Sequence, residues 1–297
     1  MYDIIVIGGG PAGLTAALYS KRANKTVLVI EKGSFGGQIT YSPKVENIPG
    51  FSEVTGNEFA EKLVEQVLSQ GAEIEIAEVS GVTDGEIKTV HTDSGDFEAK
   101  AVIIATGAKH RMLGLSGEEK FVGEGISFCA VCDGAFYEAK TVAVIGGGNS
   151  ALQEALLLSD LAKKVYVIQN LDYFTGEEKL SEQLKAKENV EIILGSTVES
   201  ILGDDEFKGI VINKGAEKKE IALDGMFVAI GLVPQNEPFS SVIDLNDWGY
   251  VEAGENCLTS KDGIFVAGDC RSKKIRQVAT AAADGAVAAL AACDYIG

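Results

Sequence analysis

Apolar and polar positions along this chain fall into one pattern that occurs twice. Ile4–Ile7 is a continuous apolar run, followed by Gly8-Gly9-Gly10 and then by apolar residues at helical spacing as far as Arg22. A second apolar run, Val27–Ile30, closes the segment. Short continuous apolar runs bounded by glycine read as strands buried on both faces, and the spaced segment between them as a helix. The order recurs from Val142 to Ile168, with Gly146-Gly147-Gly148 at the turn. The offset of 138 residues holds throughout: Gly8 matches Gly146, Gly13 matches Ala151 and Val27 matches Val165. Two strand–helix–strand units predict an α/β fold with two Rossmann-like nucleotide-binding domains. Further apolar strands are expected at Ala101–Gly107, at Ala229–Pro234 before a proline breaker, and at Ile264–Gly268.

Length and composition fit that picture. At 297 residues the chain is sized for two domains, and 46% hydrophobic with 24% charged residues is ordinary globular composition, which excludes disorder and fibres. The most apolar stretch, Val278–Cys293, is interrupted by Asp284, so no membrane span is expected. Met1-Tyr2-Asp3 runs directly into the first strand, which predicts no signal peptide and a cytoplasmic location. The net charge of −18 disfavours nucleic acid and anionic membranes as partners. Glycine is in excess, 35 residues or about 12% against a usual ~7%, which suggests loops that approach phosphates closely. Five cysteines are not a disulfide framework, and only Cys129 and Cys132, spaced C-x-x-C, ask for a special explanation. Cys257, Cys270 and Cys293 read as unpaired core thiols.

The two glycine turns differ in the chemistry around them. In the first, Gly8 permits the tight turn, Gly10 lets backbone approach a pyrophosphate, and Gly13 allows close helix–strand packing. Pro11 and Ala12 open the helix, whose N-terminus favours an anion. Glu31, at the end of the next strand with Lys32 beside it, is placed to accept bonds from a ribose diol. The second turn, Gly146-x-Gly148-x-x-Ala151, has the same frame. Its next strand, however, ends in Gln169, Asn170 and Leu171, with no carboxylate for a ribose diol and no arginine for a 2′-phosphate. A glutamine that suffices for weak NADH binding remains an open reading.

Over essentially its whole length the sequence resembles the low-molecular-weight thioredoxin reductase family. The resemblance is carried by Gly8–Gly13, Gly36-Gly37-Gln38, Glu46-Asn47-Ile48-Pro49-Gly50-Phe51, Ala105-Thr106-Gly107, Cys129-Ala-Val-Cys132-Asp133-Gly134, Gly268-Asp269 and Arg276-Gln277. A zinc site is the other use of C-x-x-C, but no second such pair and no paired histidines accompany it; His91 and His110 read as surface or loop residues. The resemblance implies FAD as cofactor, thioredoxin as partner and a homodimer. It also implies a discontinuous FAD domain, 1–112 and 241–297, with a redox-disulfide domain, 113–240, inserted into it. Position by position it assigns FAD contacts to the glycine turn, Gly36, Gly37, Gln38, Asn47, Val79, Thr106, Gly107, Gly268, Asp269, Arg276, Gln277 and Val278. Cys132 takes electrons on the flavin side, Cys129 attacks the substrate disulfide, and Asp133 handles the proton. Rotation of the inserted domain is expected on hinges near Arg111–Gly114 and Asn236–Ser241.

Two departures bear on the electron donor. NADPH-dependent members carry a basic H-R-R-x-x-x-R cluster, and here those four positions are Gln169, Asn170, Leu171 and Thr175. Losing two or three charge-assisted bonds, each about 1.5–3 kcal/mol, removes roughly 10³-fold or more in affinity. Glu124 also stands where relatives often carry arginine. By what it lacks, the sequence resembles the ferredoxin-dependent subfamily. Three functions follow: a ferredoxin-linked thioredoxin reductase, a nicotinamide-dependent reductase with an atypical pocket, and a redox-sensing flavoprotein without turnover. The run Arg271, Lys273, Lys274 and Arg276 is the expected docking patch for an acidic ferredoxin, with Lys21, Arg22 and Lys25 as a second candidate.

Overall fold

The two apolar runs at the N-terminus are neighbouring parallel strands. β1 (Tyr2–Ile7) leads through α1 (Pro11–Arg22) to β2 (Val27–Glu31), with Ile4 opposite Val27. The computed structural model describes residues 1–42, 44–215 and 217–297. α2 (Gly56–Ser69) starts at a capping box, where Thr55 and Glu58 satisfy each other's backbone N–H groups. β3 (Glu73–Ile76) then extends the sheet beyond β2. β4 (Val79–Thr83), β5 (Lys88–Thr92) and β6 (Gly95–Ile104) form an antiparallel meander. β6 is long enough to serve two partners in succession: Gly95–Ala99 pairs with β5, and its apolar second half runs parallel to β1.

The chain then leaves this unit through β7 (Ala108–His110) and returns through β16 (Leu232–Pro234). Between them lie β8 (Ile126–Ser127), α3 (Ala130–Asp133), β9 (Thr141–Ile145), α4 (Asn149–Leu161), β10 (Lys164–Ile168), α5 (Glu178–Lys185) and β11 (Val190–Ile193). An antiparallel meander follows, β12 (Thr197–Leu202), β13 (Gly209–Lys214) and β14 (Glu217–Ala222), and then β15 (Gly225–Val228). The parallel sheet of this unit has the order β11-β10-β9-β15-β8. After the return, β17 (Ile264–Val266) pairs with the second half of β6, and α6 (Val278–Ile296) ends the fold. The internal repeat is visible in single hydrogen bonds. Gly8 N–H donates to Ile30 O at 2.8 Å, and Gly146 N–H donates to Ile168 O at 2.9 Å, the same offset of 138.

The compact units are 1–109 with 233–297, and 110–232. The return crossing thus falls eight residues before the position expected from sequence. Residues 233–240 belong to the first unit because Asn236 donates to Gly249 O and Cys270 O, and Phe239 is buried in that unit's core. The segments expected to act as hinges are each bonded within their own unit. Leu113, Gly114 and Leu115 all donate backbone N–H groups to the buried carboxylate of Glu118, and Asn236 is held as above.

One core layer of the first unit packs α1 and α6 on the sheet; the other places Phe239, Ile243 and Val251 against the opposite face. α6 is long and apolar enough to cross a membrane by length and composition, yet Ala281, Ala288, Ala289 and Ala292 are buried in this core. Its small residues permit a close helix contact: a Cβ on Gly285 would lie 2.2 Å from Ala12 O.

Candidate active site and cofactor cradle

Cys129 and Cys132 form a disulfide, with Cα atoms 5.3 Å apart, in the turn that opens α3. Cys129 is the N-cap: its carbonyl accepts from Cys132 N–H and Asp133 N–H, and its Sγ also lies 3.2 Å from Cys132 N. This helical turn is what brings the two sulfurs within bonding reach. Asp133 follows on the same turn. Its Oδ2 accepts the Ser127 hydroxyl at 2.6 Å, and its Oδ1 is buried without a partner. Burial pushes the Asp133 carboxyl up, and the Ser127 hydrogen bond opposes it.

Three further residues complete this site, none of them singled out from sequence. Ser127 accepts Cys129 N–H while donating to Asp133. Glu154 of α4 lies half-buried nearby and accepts the Ala130 N–H. Phe128, adjacent to Cys129, stacks on His110 with ring centroids 4.6 Å apart. His110 is therefore half-buried on β7 rather than a loop residue, and burial pushes its pKa down to about 4, so it is neutral. The aspartate and the C-x-x-C pair were legible because they share a local motif. Glu154 and His110 are joined to it only by tertiary packing, which leaves no spacing signal, and Ser127, two residues before Cys129, shows its part only through its hydrogen bonds.

The first unit gathers the predicted nucleotide-binding residues at the carboxyl ends of its strands. Gly8 has φ +112, and a Cβ there would lie 2.3 Å from Ala105 O, so only glycine fits. Gly10 caps α1 in an extended conformation with no side-chain cap, followed by Pro11. The nearest atom to a Cβ on Gly10 is Gly37 Cα, 3.9 Å away, so the space in front of the helix N-terminus is open. A Cβ on Gly13 would lie 1.9 Å from Gly8 O. Glu31 holds the turn, accepting Gly9 N–H at 2.7 Å and Gly33 N–H at 3.0 Å, and Lys32 pairs with Glu78 on the surface. Gly36 N–H donates to Gly9 O, which presses the Gly36-Gly37 loop onto the turn.

The second part of the same unit arrives beside it. Gly268, at φ +82, packs against Ala12: a Cβ there would lie 2.8 Å from Ala12 Cβ. Asp269 follows, with Oδ1 buried and unpartnered; burial raises its pKa against the opposing charges of Lys273 and Arg276. Arg276 donates to Asp269 O, and its guanidinium lies over the Tyr250 ring at 4.4 Å. Gln277 accepts from Asn47 Nδ2 at 3.2 Å and caps α6, with Val278 as the first helical residue. Thr106 donates to Asn236, Gly107 follows at φ +68, and Gln38 donates to Ala108 O. Val79 stands beside a cavity of about 340 Å³ lined by Glu78, Ser80, Thr92, Asp93 and Pro238.

The basic run in this region is largely internal. Asp284 of α6 accepts Arg271 Nε at 2.8 Å, Arg271 Nη2 at 2.9 Å, Lys273 Nζ at 2.9 Å and Gly268 N–H at 3.0 Å. Arg271 and Lys273 are buried in this cluster, so they cannot form the free docking patch expected from sequence; Lys274 alone of the four is exposed. Cys257, Cys270 and Cys293 are free thiols, and burial pushes the first two up to about 11, which makes them unreactive.

The glycine turn of the second unit has the backbone of the first and different surroundings. Gly148 caps α4 in an extended conformation with no side-chain cap, as Gly10 does. Gly147 O accepts Thr175 N–H and Gly176 N–H, and Asn149 exchanges two hydrogen bonds with Glu177. Gln169 is buried against Gly147, its amide bonded within its own loop to Tyr173 O and Asn170 N–H. The groups that meet this turn are neutral or anionic.

Comparison with known proteins places this geometry. The pyridine nucleotide-disulphide oxidoreductase family matches residues 2–285. A protein of Clostridium pasteurianum described as a 34.2 kDa protein in the rubredoxin operon is 43% identical over 300 residues, covering 99% of this chain and 97% of the relative. The thioredoxin reductase of Listeria monocytogenes is 41% identical, covering 100% and 94%. The chain belongs to this family, among its low-molecular-weight thioredoxin reductases. The crystal structure of thioredoxin reductase from Streptococcus pyogenes superposes with a TM-score of 0.94 at 38% identity, covering 99% of this chain and 98% of that one.

The family's cofactor is FAD, and the first unit fits it. The open space in front of Gly10 suits a pyrophosphate on the α1 N-terminus, and the buried, unpartnered Asp269 Oδ1 is an acceptor awaiting a hydroxyl.

Proposed function

We propose that this protein reduces thioredoxin through the Cys129–Cys132 pair, with FAD as cofactor and ferredoxin as electron donor. The observation that carries the reading is the dithiol turn with a buried carboxyl, Asp133, fixed beside it by Ser127. Bound FAD supplies the electron pair that opens the Cys129–Cys132 disulfide. The remaining work falls to side chains of this chain. Gly8, Gly10, Pro11, Ala12 and Gly13 hold the pyrophosphate, Glu31 and Lys32 the ribose, and Val79 the adenine. Gly36, Gly37, Gln38, Asn47, Thr106, Gly107, Gly268, Asp269, Arg276, Gln277 and Val278 hold the flavin and its ribityl chain.

In the thiol step, Asp133 takes the Cys129 proton, and the Cys129 thiolate attacks one sulfur of the thioredoxin disulfide. The other thioredoxin sulfur leaves with a proton from Asp133. Cys132 then attacks Cys129 Sγ, closing the enzyme disulfide, and its proton passes to the thioredoxin sulfur that leaves, releasing dithiol thioredoxin. Electrons and protons balance over the exchange. The ferredoxin assignment rests on the second glycine turn, where Gln169, Asn170, Leu171 and Thr175 stand at the positions of the family's cations, so a 2′-phosphate meets none of those charge partners.

A second reading keeps a nicotinamide nucleotide as donor. It is favoured by one observation, that Gly148 retains the uncapped, extended geometry of Gly10. Anaerobic flavin absorbance with reduced ferredoxin, NADPH or NADH as the single donor separates the two.

A further inference from the structure

Glu154 is a half-buried acid with one fully buried carboxyl oxygen, for which the reaction above has no use. It lies on α4, the helix packed against α3 and the Gly134–Tyr137 turn, and its carboxyl is turned into that contact. It accepts the N–H of Ala130, the buried residue that follows Cys129, and its Oε2 is buried without a partner. On the opposing turn, Asp133 Oδ1 is also buried without a partner. Two acids therefore flank one four-residue helix, each with an unsatisfied oxygen.

We infer that Glu154 is a positioning residue of the dithiol centre: it fixes the amide of Ala130 between the cysteines, and with Asp133, whose carboxyl likewise carries a buried unpartnered oxygen, it forms a carboxyl pair that shares a proton. The inference rests on the proposed thiol chemistry. Two like charges in one partly buried site do not ionise independently, so the first proton lost makes the second harder to remove. Burial pushes Glu154 up to about 7, with the Asp133 charge adding to it and the Ala130 N–H opposing. The other titratable group facing the pair is Tyr137, raised to about 12 by burial and by Asp133 and Asp224, and it stays neutral. A pair with one proton can both accept the Cys129 proton and return one to the departing sulfur. The pair ends each cycle as it began.

The test uses the full-length flavoprotein, reduced with dithiothreitol and freed of it. The rate of alkylation by iodoacetamide is followed between about pH 5 and pH 9. In the wild type we expect a modest inflection near pH 7 in addition to the larger one of the thiol. In Glu154→Gln that inflection moves acidward by about one pH unit or more, because Asp133 then titrates without a like charge beside it. Asp133→Asn, which leaves Glu154 in place, moves it in the same direction. An inflection that stays in place in both variants overturns the inference. The readout needs no turnover with thioredoxin, so a wild type that fails to reduce thioredoxin defeats the proposed function and leaves the carboxyl pair to be judged on its own.

Discussion

The Ser127 hydroxyl donates to Asp133 at 2.6 Å and accepts the Cys129 N–H at 3.1 Å. One side chain thus ties the buried acid to the backbone of the attacking cysteine. Ser127→Ala removes the donor that opposes burial, so the Asp133 pKa should rise further, moving the corresponding limb of the pH–rate profile for thioredoxin reduction to higher pH. Asp133→Asn should slow the thiol step by about 10²–10⁴-fold. Stopped-flow measurement of thioredoxin reduction by the prereduced enzyme checks both.

Gly8 and Gly10 should separate folding from cofactor binding. Gly8→Ala drives a methyl into Ala105 O and should lower the yield of folded protein. Gly10→Val meets open space, so the chain should fold with an unchanged circular dichroism spectrum and a melting temperature close to the apoprotein's, yet retain no FAD. A yellow Gly10→Val protein would refute the cradle at the α1 N-terminus.

The two cysteines should fail at different steps. Cys132→Ser should block reoxidation of prereduced flavin by the enzyme's own thiol centre. Cys129→Ser should leave a reduced enzyme that does not attack thioredoxin. Anaerobic flavin spectra and thiol counts with 5,5′-dithiobis(2-nitrobenzoate) distinguish these outcomes. Full activity in either single variant would place the chemistry elsewhere.

Asp284 should matter for stability more than its place on an apolar helix suggests. Burial alone would raise its pKa, but bonds from Arg271 and Lys273 outweigh that and hold it below the usual carboxylate range. Its folded pKa is depressed, so its contribution is present above the unfolded value and is lost as pH falls through the folded one. Asp284→Asn should cost about 3–5 kcal/mol by leaving two buried cations without their partner. Lys273→Glu should destabilise for the same reason. Lys274→Glu, on an exposed side chain, should leave the melting temperature nearly unchanged and is the cleaner probe of donor docking. Thermal unfolding at neutral pH and at successive pH values below about 4 tests the first two substitutions.

Much of the fold could be read locally. Two glycine turns framed by apolar runs predicted β1–α1–β2 and β9–α4–β10, and the repeat offset persists in the Gly8–Ile30 and Gly146–Ile168 hydrogen bonds. The dithiol and Asp133 were legible because their chemistry needs residues adjacent in sequence. What escaped was set by tertiary burial. Arg271 and Lys273 look like a surface charge run until α6 brings Asp284 onto them, and His110 looks like a loop residue until Phe128 stacks on it. The place of Asn236 in the first unit left no local signal because its partners, Gly249 and Cys270, are distant in sequence.

The central claim is that electrons reach thioredoxin through this flavoprotein from ferredoxin and not from a nicotinamide nucleotide. Its most direct test is an anaerobic assay of thioredoxin thiol formation by the wild-type holoenzyme, with reduced ferredoxin, NADPH or NADH as the single donor. Thiol formation with ferredoxin alone, lost in Cys129→Ser, is the predicted result. Rapid thiol formation with either nucleotide at micromolar concentration, and none with ferredoxin, would contradict it.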